Sequence, residues 1–283
     1  MSDIVRQLKR YCKILVSKGG GNYDGTEWDG LKISFDIEKT RESGANTAKI
    51  QIYNMRQESW TLFETEKDLF VVLFVAYDDR KNYEILYTGN ISKAKTTLET
   101  PNIITVLECG DGQKALKYAT LDKSYKAKTI IKEAMKDAVQ TFKDVGNVAI
   151  EEVGDFISGK TNFGFSLSGT SKDIVDEMAR KYNFDWSIQN NKCVIKPKDE
   201  TTNNTAIDLN KRTGLVGTPI RTEKGIELTC LINPKIIPKK KIYVYSEGLD
   251  NTDAFFQVTT VKIKGDTHGN DWLMMVEGTR LNV

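Results

Sequence analysis

Apolar and polar residues alternate at every second position through much of this chain, and in two places the period lengthens to that of a helix. Leu31, Ile33, Phe35 and Ile37 form one alternating run. Ala48, Ile50 and Ile52 form another, with Tyr53 on the opposite face. A period of two predicts a strand with one buried face. Residues 41–46 are polar and contain Gly44, so 31–55 reads as one long hairpin. Residues 11–16 predict a strand before it. Residues 57–67 predict a short helix that turns Trp60, Leu62 and Phe63 toward the strands. Residues 69–77 are apolar almost throughout, which predicts a strand buried on both faces. After a polar turn at 78–82, residues 83–87, 91–98 and 103–109 predict three more strands.

The period changes after residue 116. Ile130, Ile131, Ala134, Met135, Ala138 and Phe142 fall at helical spacing within 127–142, with lysines and acids opposite. A second helix is predicted after Thr170 and Ser171, whose hydroxyls suit an N-cap, and it turns Ile174, Val175, Met178, Ala179 and Tyr182 inward. Residues 148–153 and 163–167 predict strands between them. Residues 184–188 and 193–195 predict a hairpin across Gln189, Asn190, Asn191 and Lys192. Residues 199–205, DETTNNT, read as a polar linker.

Strands then resume. Ile226, Leu228, Cys230 and Ile232 alternate, and Pro234 and Pro238 stop that run because proline donates no ladder hydrogen bond. Residues 242–245 restart a strand. Phe256 and Val258 share one phase, whereas Val261 and Ile263 share the other, which predicts a bulge of the kind found where a barrel closes. A turn at 265–270 leads to Trp272, Met274 and Val276 on a return strand. The fold class expected is mainly β with an α+β insert: two antiparallel β-barrels at 1–117 and 201–283 flanking a small α+β domain at 118–200. No internal sequence repeat accompanies the two β regions.

Composition narrows the class without choosing a function. The 283 residues suffice for two or three domains. With 41 basic and 39 acidic residues the net charge is +2, unlike the basic excess of a dedicated nucleic-acid binder. The longest apolar run, 69–77, is too short to span a bilayer, and MSDIVRQLKRYCK lacks the apolar core of a signal peptide, so synthesis in a cytoplasm is expected. Cys12, Cys109, Cys193 and Cys230 are far apart and beside strand-like residues, which predicts four buried, reduced thiols and no zinc site.

A catalytic set does not emerge. His268 is the only histidine, which rules out a two-histidine metal motif, and it lies in a Gly-Asp-Thr-His-Gly turn that Asp266 is expected to shape. There is no Gly-x-Ser-x-Gly elbow, and the glycine run at 19–21 lacks the Lys-Ser/Thr end of a phosphate loop. Asp78 with Asp79, and Glu151 with Glu152, read as solvated carboxylates at turns and strand ends. No cofactor and no metal is expected. The glycine-rich segment reads as a hairpin tip in which Tyr23 and Trp28 are candidate partner-contact residues. Lys239, Lys240 and Lys241, with Lys235 nearby, read as protection for a strand edge or as contacts to an acidic partner or the DNA path.

Several segments carry a family resemblance. LKISFDIEKT and NTAKIQIYNM at 31–40 and 46–55 are the most specific, with Met55 where leucine is more usual. GDGQKAL at 110–116, TGLVGTPIR at 213–221, LINPKIIP at 231–238 and VKIKGDTHGNDW at 261–272 add to them. Together they resemble the baseplate hub proteins of contractile phage tails, the late control protein D group. The resemblance implies that each β region looks like a tail-tube subunit. It also implies a non-enzymatic hub in the virion tail, a homotrimeric ring between the six-fold tube and the three-fold spike. Implied partners are the tail tube protein, the central spike protein and other baseplate proteins, with no membrane and with DNA only passing through the channel. The same fold would serve a tail-tip protein of a non-contractile phage or a secretion device. A tail cell-wall hydrolase, or a sugar- or nucleic-acid-binding barrel, is the reading from another class.

Overall fold

Period-two residues become strands along most of the chain. The structure, a computed structural model, describes residues 9–19, 24–41, 44–77, 82–151, 153–198, 205–223, 225–246 and 254–281. The first region holds β1 (Arg10–Lys18), β2 (Thr26–Asp29), β3 (Ile33–Thr40), β4 (Thr47–Tyr53), α1 (Gln57–Thr65), β5 (Leu69–Tyr77), β6 (Glu84–Glu99) and β7 (Asn102–Gly110). The insert holds α2 (Gln113–Tyr118), β8 (Thr120–Tyr125), α3 (Ile131–Gly146), β9 (Ala149–Ile150), β10 (Phe165–Thr170), α4 (Ser171–Tyr182), β11 (Phe184–Gln189) and β12 (Lys192–Pro197). The last region holds β13 (Ile207–Leu209), β14 (Leu215–Arg221), β15 (Gly225–Leu231), β16 (Lys241–Val244), β17 (Ala254–Asp266) and β18 (Trp272–Arg280).

Alternation set the buried faces. In the β3–β4 hairpin Ile33, Phe35 and Ile37 lie opposite Ile52, Ile50 and Ala48, and all six are buried. β5 is buried at nearly every position, as its continuous apolar run predicts. The segments expected as two strands at 83–87 and 91–98 are one strand, β6, which absorbs register shifts at Leu73/Phe74 against β5 and at Ile91/Lys93 against β7. The phase change in β17 is a bulge between Val258 and Thr260.

The expected barrels do not form. Among the described residues, all thirteen strands of the two β regions belong to one open sheet, in the order β14-β15-β18-β17-β3-β4-β7-β6-β5-β1-β2, with β13 and β16 branching from β17. A barrel needs each region to pair its own first and last strands. Here the edge of β3 is taken by β17, from Thr260 opposite Thr40 to Asp266 opposite Ser34. That pairing fuses the two regions and leaves the sheet open at β14 and β2. The bulge bends β17 without closing anything.

One core serves both β regions. Trp272 is fully buried within it, with the rings of Phe35 and Tyr77 at 5.6 and 6.3 Å, edge-on to it. Tyr77 Oη donates to the Ile232 carbonyl at 2.8 Å, so a strand of the first region is bonded to a loop of the last. A second, separate core belongs to the insert, where α3 and α4 bury Met135, Phe142, Val175 and Met178 against Trp186, Ile188 and Ile195. Thr170 caps α4 by accepting the Asp173 N–H at 3.3 Å. α3 starts later than its periodicity implies because Lys128 adopts a left-handed φ of 68° and gives its N–H to the Thr161 carbonyl. The strand expected at 148–153 contracts to β9, and the one expected at 163–167 shifts to β10, which pairs with the unforeseen β8.

Candidate functional site

The joint between the two cores is polar, and its residues come from four elements. Asn46 lies between β3 and β4, Lys39 in β3, Asp111 just after β7, and Gln189 and Asn190 at the end of the β11 hairpin. The Asp111 carboxylate accepts the N–H groups of Asn190 at 2.6 Å and Asn191 at 2.8 Å. Both asparagines have positive φ, 50° and 59°, so this two-residue turn aims consecutive amides at one anion. Asn46 Nδ2 donates to the Ile188 carbonyl and to Gln189 Oε1, at 2.8 and 3.0 Å. Gln189 Nε2 returns a bond to the Thr40 carbonyl at 2.8 Å. Lys39 Nζ donates to the Leu86 carbonyl at 2.7 Å and to Asn190 Oδ1 at 2.8 Å.

Lys39 and Asp111 are both buried. Burial lowers the Lys39 ammonium to about 8, with Asp111 pulling it back up. Burial pushes the Asp111 carboxyl up, opposed by the Asn191 amide, the Lys39 charge, the Asn46 amide and the Asn190 amide. Satisfied groups of this kind fix one arrangement, since any slip would leave a buried charge without partners. The arrangement ties the insert to the sheet through the partners of Asn46, Asp111 and Lys39.

The residues singled out in the sequence are scattered over the fold. Tyr23 lies outside the described residues. Trp28 is in β2, with its ring 5.5 Å from that of Phe63 and its Nε1 donating to Ser59 Oγ at 3.3 Å. Lys239 is 2% exposed and meets Asp185 Oδ2 of the insert at 2.9 Å, so it is a second tie across the joint. Lys240 is half-buried, and Lys241 Nζ stands 4.1 Å from the centre of the Phe255 ring. Lys235 is exposed and reaches Glu84 at 3.4 Å.

His268 sits in the turn before β18, where Asp266 Oδ1 accepts the N–H groups of His268 and Gly269 at 2.8 and 2.9 Å. Asp266 therefore shapes that turn, as its context implied. Glu151 pairs with Lys196 at 3.6 Å, whereas Asp78, Asp79 and Glu152 lie outside the described residues. All four cysteines are free and buried. Burial raises every thiol, Cys193 and Cys230 to about 12. Among the described residues no group of three or more His, Cys, Asp or Glu side chains could hold a metal ion, and no helix is long and apolar enough to cross a membrane.

The polar joint went unforeseen because the groups that meet Lys39 and Asp111 come from distant segments of the chain. Two signals were legible: Lys39 continues the inward phase of Ile33, Phe35 and Ile37, and the Asn-Asn turn is made of residue types that favour positive φ.

A family model described as Baseplate hub gp41 matches residues 16–251. Among curated proteins none matches the chain. Among solved structures, the 43 kDa tail protein of prophage MuSo2 from Shewanella oneidensis aligns with a TM-score of 0.62 at 10% identity, covering 95% of this chain and 98% of that one. The tail protein from Neisseria meningitidis MC58 aligns at 0.59 and 10% identity, covering 97% of each. The E. coli c3393 protein, a type VI secretion system component described as similar to the T4 bacteriophage tail proteins gp27 and gp5, aligns at 0.60 and 10% identity, covering 89% and 74%. At such identities these likenesses are of fold.

Proposed function

This chain belongs to the Baseplate hub gp41 family, a family of structural tail components, and on that premise we propose that it forms the central hub of a phage or prophage tail as a homotrimeric ring. In this reading the ring adapts the six-fold tail tube to the three-fold central spike. The observation that carries it is the family match across 16–251, which takes in the first β region, the insert and most of the last region. Two β regions per chain, fused through β3 and β17, give six in a trimer, which is the number a six-fold tube presents. Closed cyclic assembly is the usual solution for such a ring.

The divisions proposed are 1–117, 118–200 and 201–283. The partners are further copies of the chain, the tail tube protein, the spike protein and other baseplate proteins, and the location is the virion tail after synthesis in a bacterial cytoplasm. Trp28, Lys240 and Lys241 are the proposed contact residues within the described parts of the chain, while the Lys239 charge is directed to Asp185. The fold shared with the E. coli type VI component supports a second reading, the equivalent ring of a secretion device or a non-contractile tail.

Electron microscopy of the assembled tail tests the proposal. Three copies around the channel between tube and spike are expected. One, two or six copies would overturn it.

A further inference from the structure

Four large apolar side chains are exposed on one face at the β14 end of the sheet. They are Val216, Ile220, Leu273 and Met275, with Ile220 63% exposed. Register places them together. Val216 lies opposite Thr229, which lies opposite Met275, and Ile220 lies opposite Glu227, which lies opposite Glu277. Exposed apolar clusters of this kind, in contrast to scattered single residues, mark interaction surfaces.

Glu227 and Glu277 face each other directly across an antiparallel pair, an arrangement that costs stability when no cation is near. Neither makes an ion pair among the described residues. Further along the same face the charges are matched across strands, Lys262 with Glu38 at 3.8 Å and Lys264 with Asp36 at 3.6 Å. Among the described residues the acid pair beside the apolar cluster therefore makes no ion pair of the kind its neighbours make.

The insert carries the complementary surface. Phe163 is 82% exposed, the highest value among the exposed large apolar residues. Ile130 is exposed nearby, and the two loops that hold them are laced together by Lys128 N–H to the Thr161 carbonyl at 2.7 Å and Ile131 N–H to the Gly159 carbonyl at 3.1 Å. Lys126, Lys128 and Lys160 on these loops are exposed, and none has a carboxylate partner among the described residues. The result is an apolar knob ringed by cations.

We propose that this knob on one copy of the chain docks on the β14–β15–β18 face of the next copy. Phe163 and Ile130 cover the apolar cluster, and the three lysines meet Glu227 and Glu277. Knob and face are different surfaces, so successive copies join head to tail, the geometry that closes into a ring. The inference rests on the proposed homotrimer and specifies which surfaces build it.

The test uses the full chain in sedimentation velocity over a range of concentration, at low and high salt. Glu227→Lys with Glu277→Lys weakens self-association about tenfold or more, and Phe163→Ser does the same. Adding Lys126→Glu, Lys128→Glu and Lys160→Glu to the reversed acid pair restores association, which a folding defect would not do. The four native thiols are buried, so a Phe163→Cys/Met275→Cys variant reports contact by oxidative cross-linking, in concentrated solution and in assembled tails. A cross-linked closed trimer is expected. Association indifferent to all of these changes, or no cross-link in either setting, overturns the interface. A tail that holds three copies without the cross-link leaves the ring standing and removes this interface; a tail with another copy number removes the ring itself. Cross-linking or charge-sensitive binding to a tube or spike protein alone would assign the face to that partner and overturn docking between copies.

Discussion

The Asp111 carboxylate accepts the Asn190 N–H at 2.6 Å, joining the end of β7 to the hairpin turn of the insert. The apolar cluster shared by the two β regions is separate from that of the insert, and buried polar groups join the two parts. The joint is thus set by hydrogen-bond geometry, which has one good solution, whereas apolar packing tolerates sliding.

Asp111→Ala is expected to destabilise the protein by about 3–5 kcal/mol, because it removes the counter-charge of the buried Lys39 and the acceptor of two backbone amides. Urea unfolding measures the loss. Hydrogen exchange should show amides 189–192 losing protection first. Unchanged exchange at these amides would contradict the role given to Asp111.

The Lys39 ammonium gives a pH signature. Its pKa falls from 10.5 to about 8 on folding, chiefly through burial. A lowered lysine adds stability that is complete above 10.5 and is lost as pH falls through 8, so its contribution rises between those values. The buried thiols act in the opposite sense at alkaline pH, since their raised pKa values favour the protonated fold. The Lys39 effect is therefore read as a difference. The stability of the native chain minus that of Lys39→Met should climb between pH 8 and 10.5, and a flat difference would contradict burial of the ammonium.

Gly265 lies directly opposite Phe35 in the β17–β3 pair that fuses the two regions. A Cβ at this position would stand 2.2 Å from the Phe35 ring. Gly265→Ala is expected to cost about 1–3 kcal/mol as the ring is forced aside. Thermal unfolding measures it, and Phe35→Leu introduced alongside should recover part of the loss.

His268→Ala should leave stability and assembly within about 0.5 kcal/mol of the native chain, since the ring is exposed and bonds to the neighbouring Thr267 hydroxyl at 2.9 Å. Asp266→Ala in the same turn should cost more, about 1 kcal/mol, because it removes the acceptor of two backbone amides. Equal effects of the two changes in parallel denaturant titrations would show that the histidine helps to hold the turn.

Local patterns were legible wherever one side chain's surroundings follow from its neighbours in sequence. The β3–β4 alternation, the double-sided burial of β5, the bulge after Val258 and the Thr170 cap each depend on a few adjacent residues, and each appears in the fold. The helix α3 was displaced because Lys128 takes a left-handed conformation without the glycine or asparagine that would announce it.

By itself the sequence determined which residues face inward along each strand and helix, the mainly β class with its α+β insert, and the segments that place the chain among baseplate hub proteins. Side-chain alternation and helical spacing are properties of short stretches, so they can be read in one dimension. Tertiary structure alone decided that β17 pairs with β3, so that two expected barrels became one open sheet. Every strand edge presents the same row of amides and carbonyls, and hydrophobic periodicity does not say which edge another will meet. Tertiary structure also decided that Lys39, Asp111 and Lys239 are buried. A charge enters the interior only where partners from distant segments meet it, and those partners come together only in the folded chain.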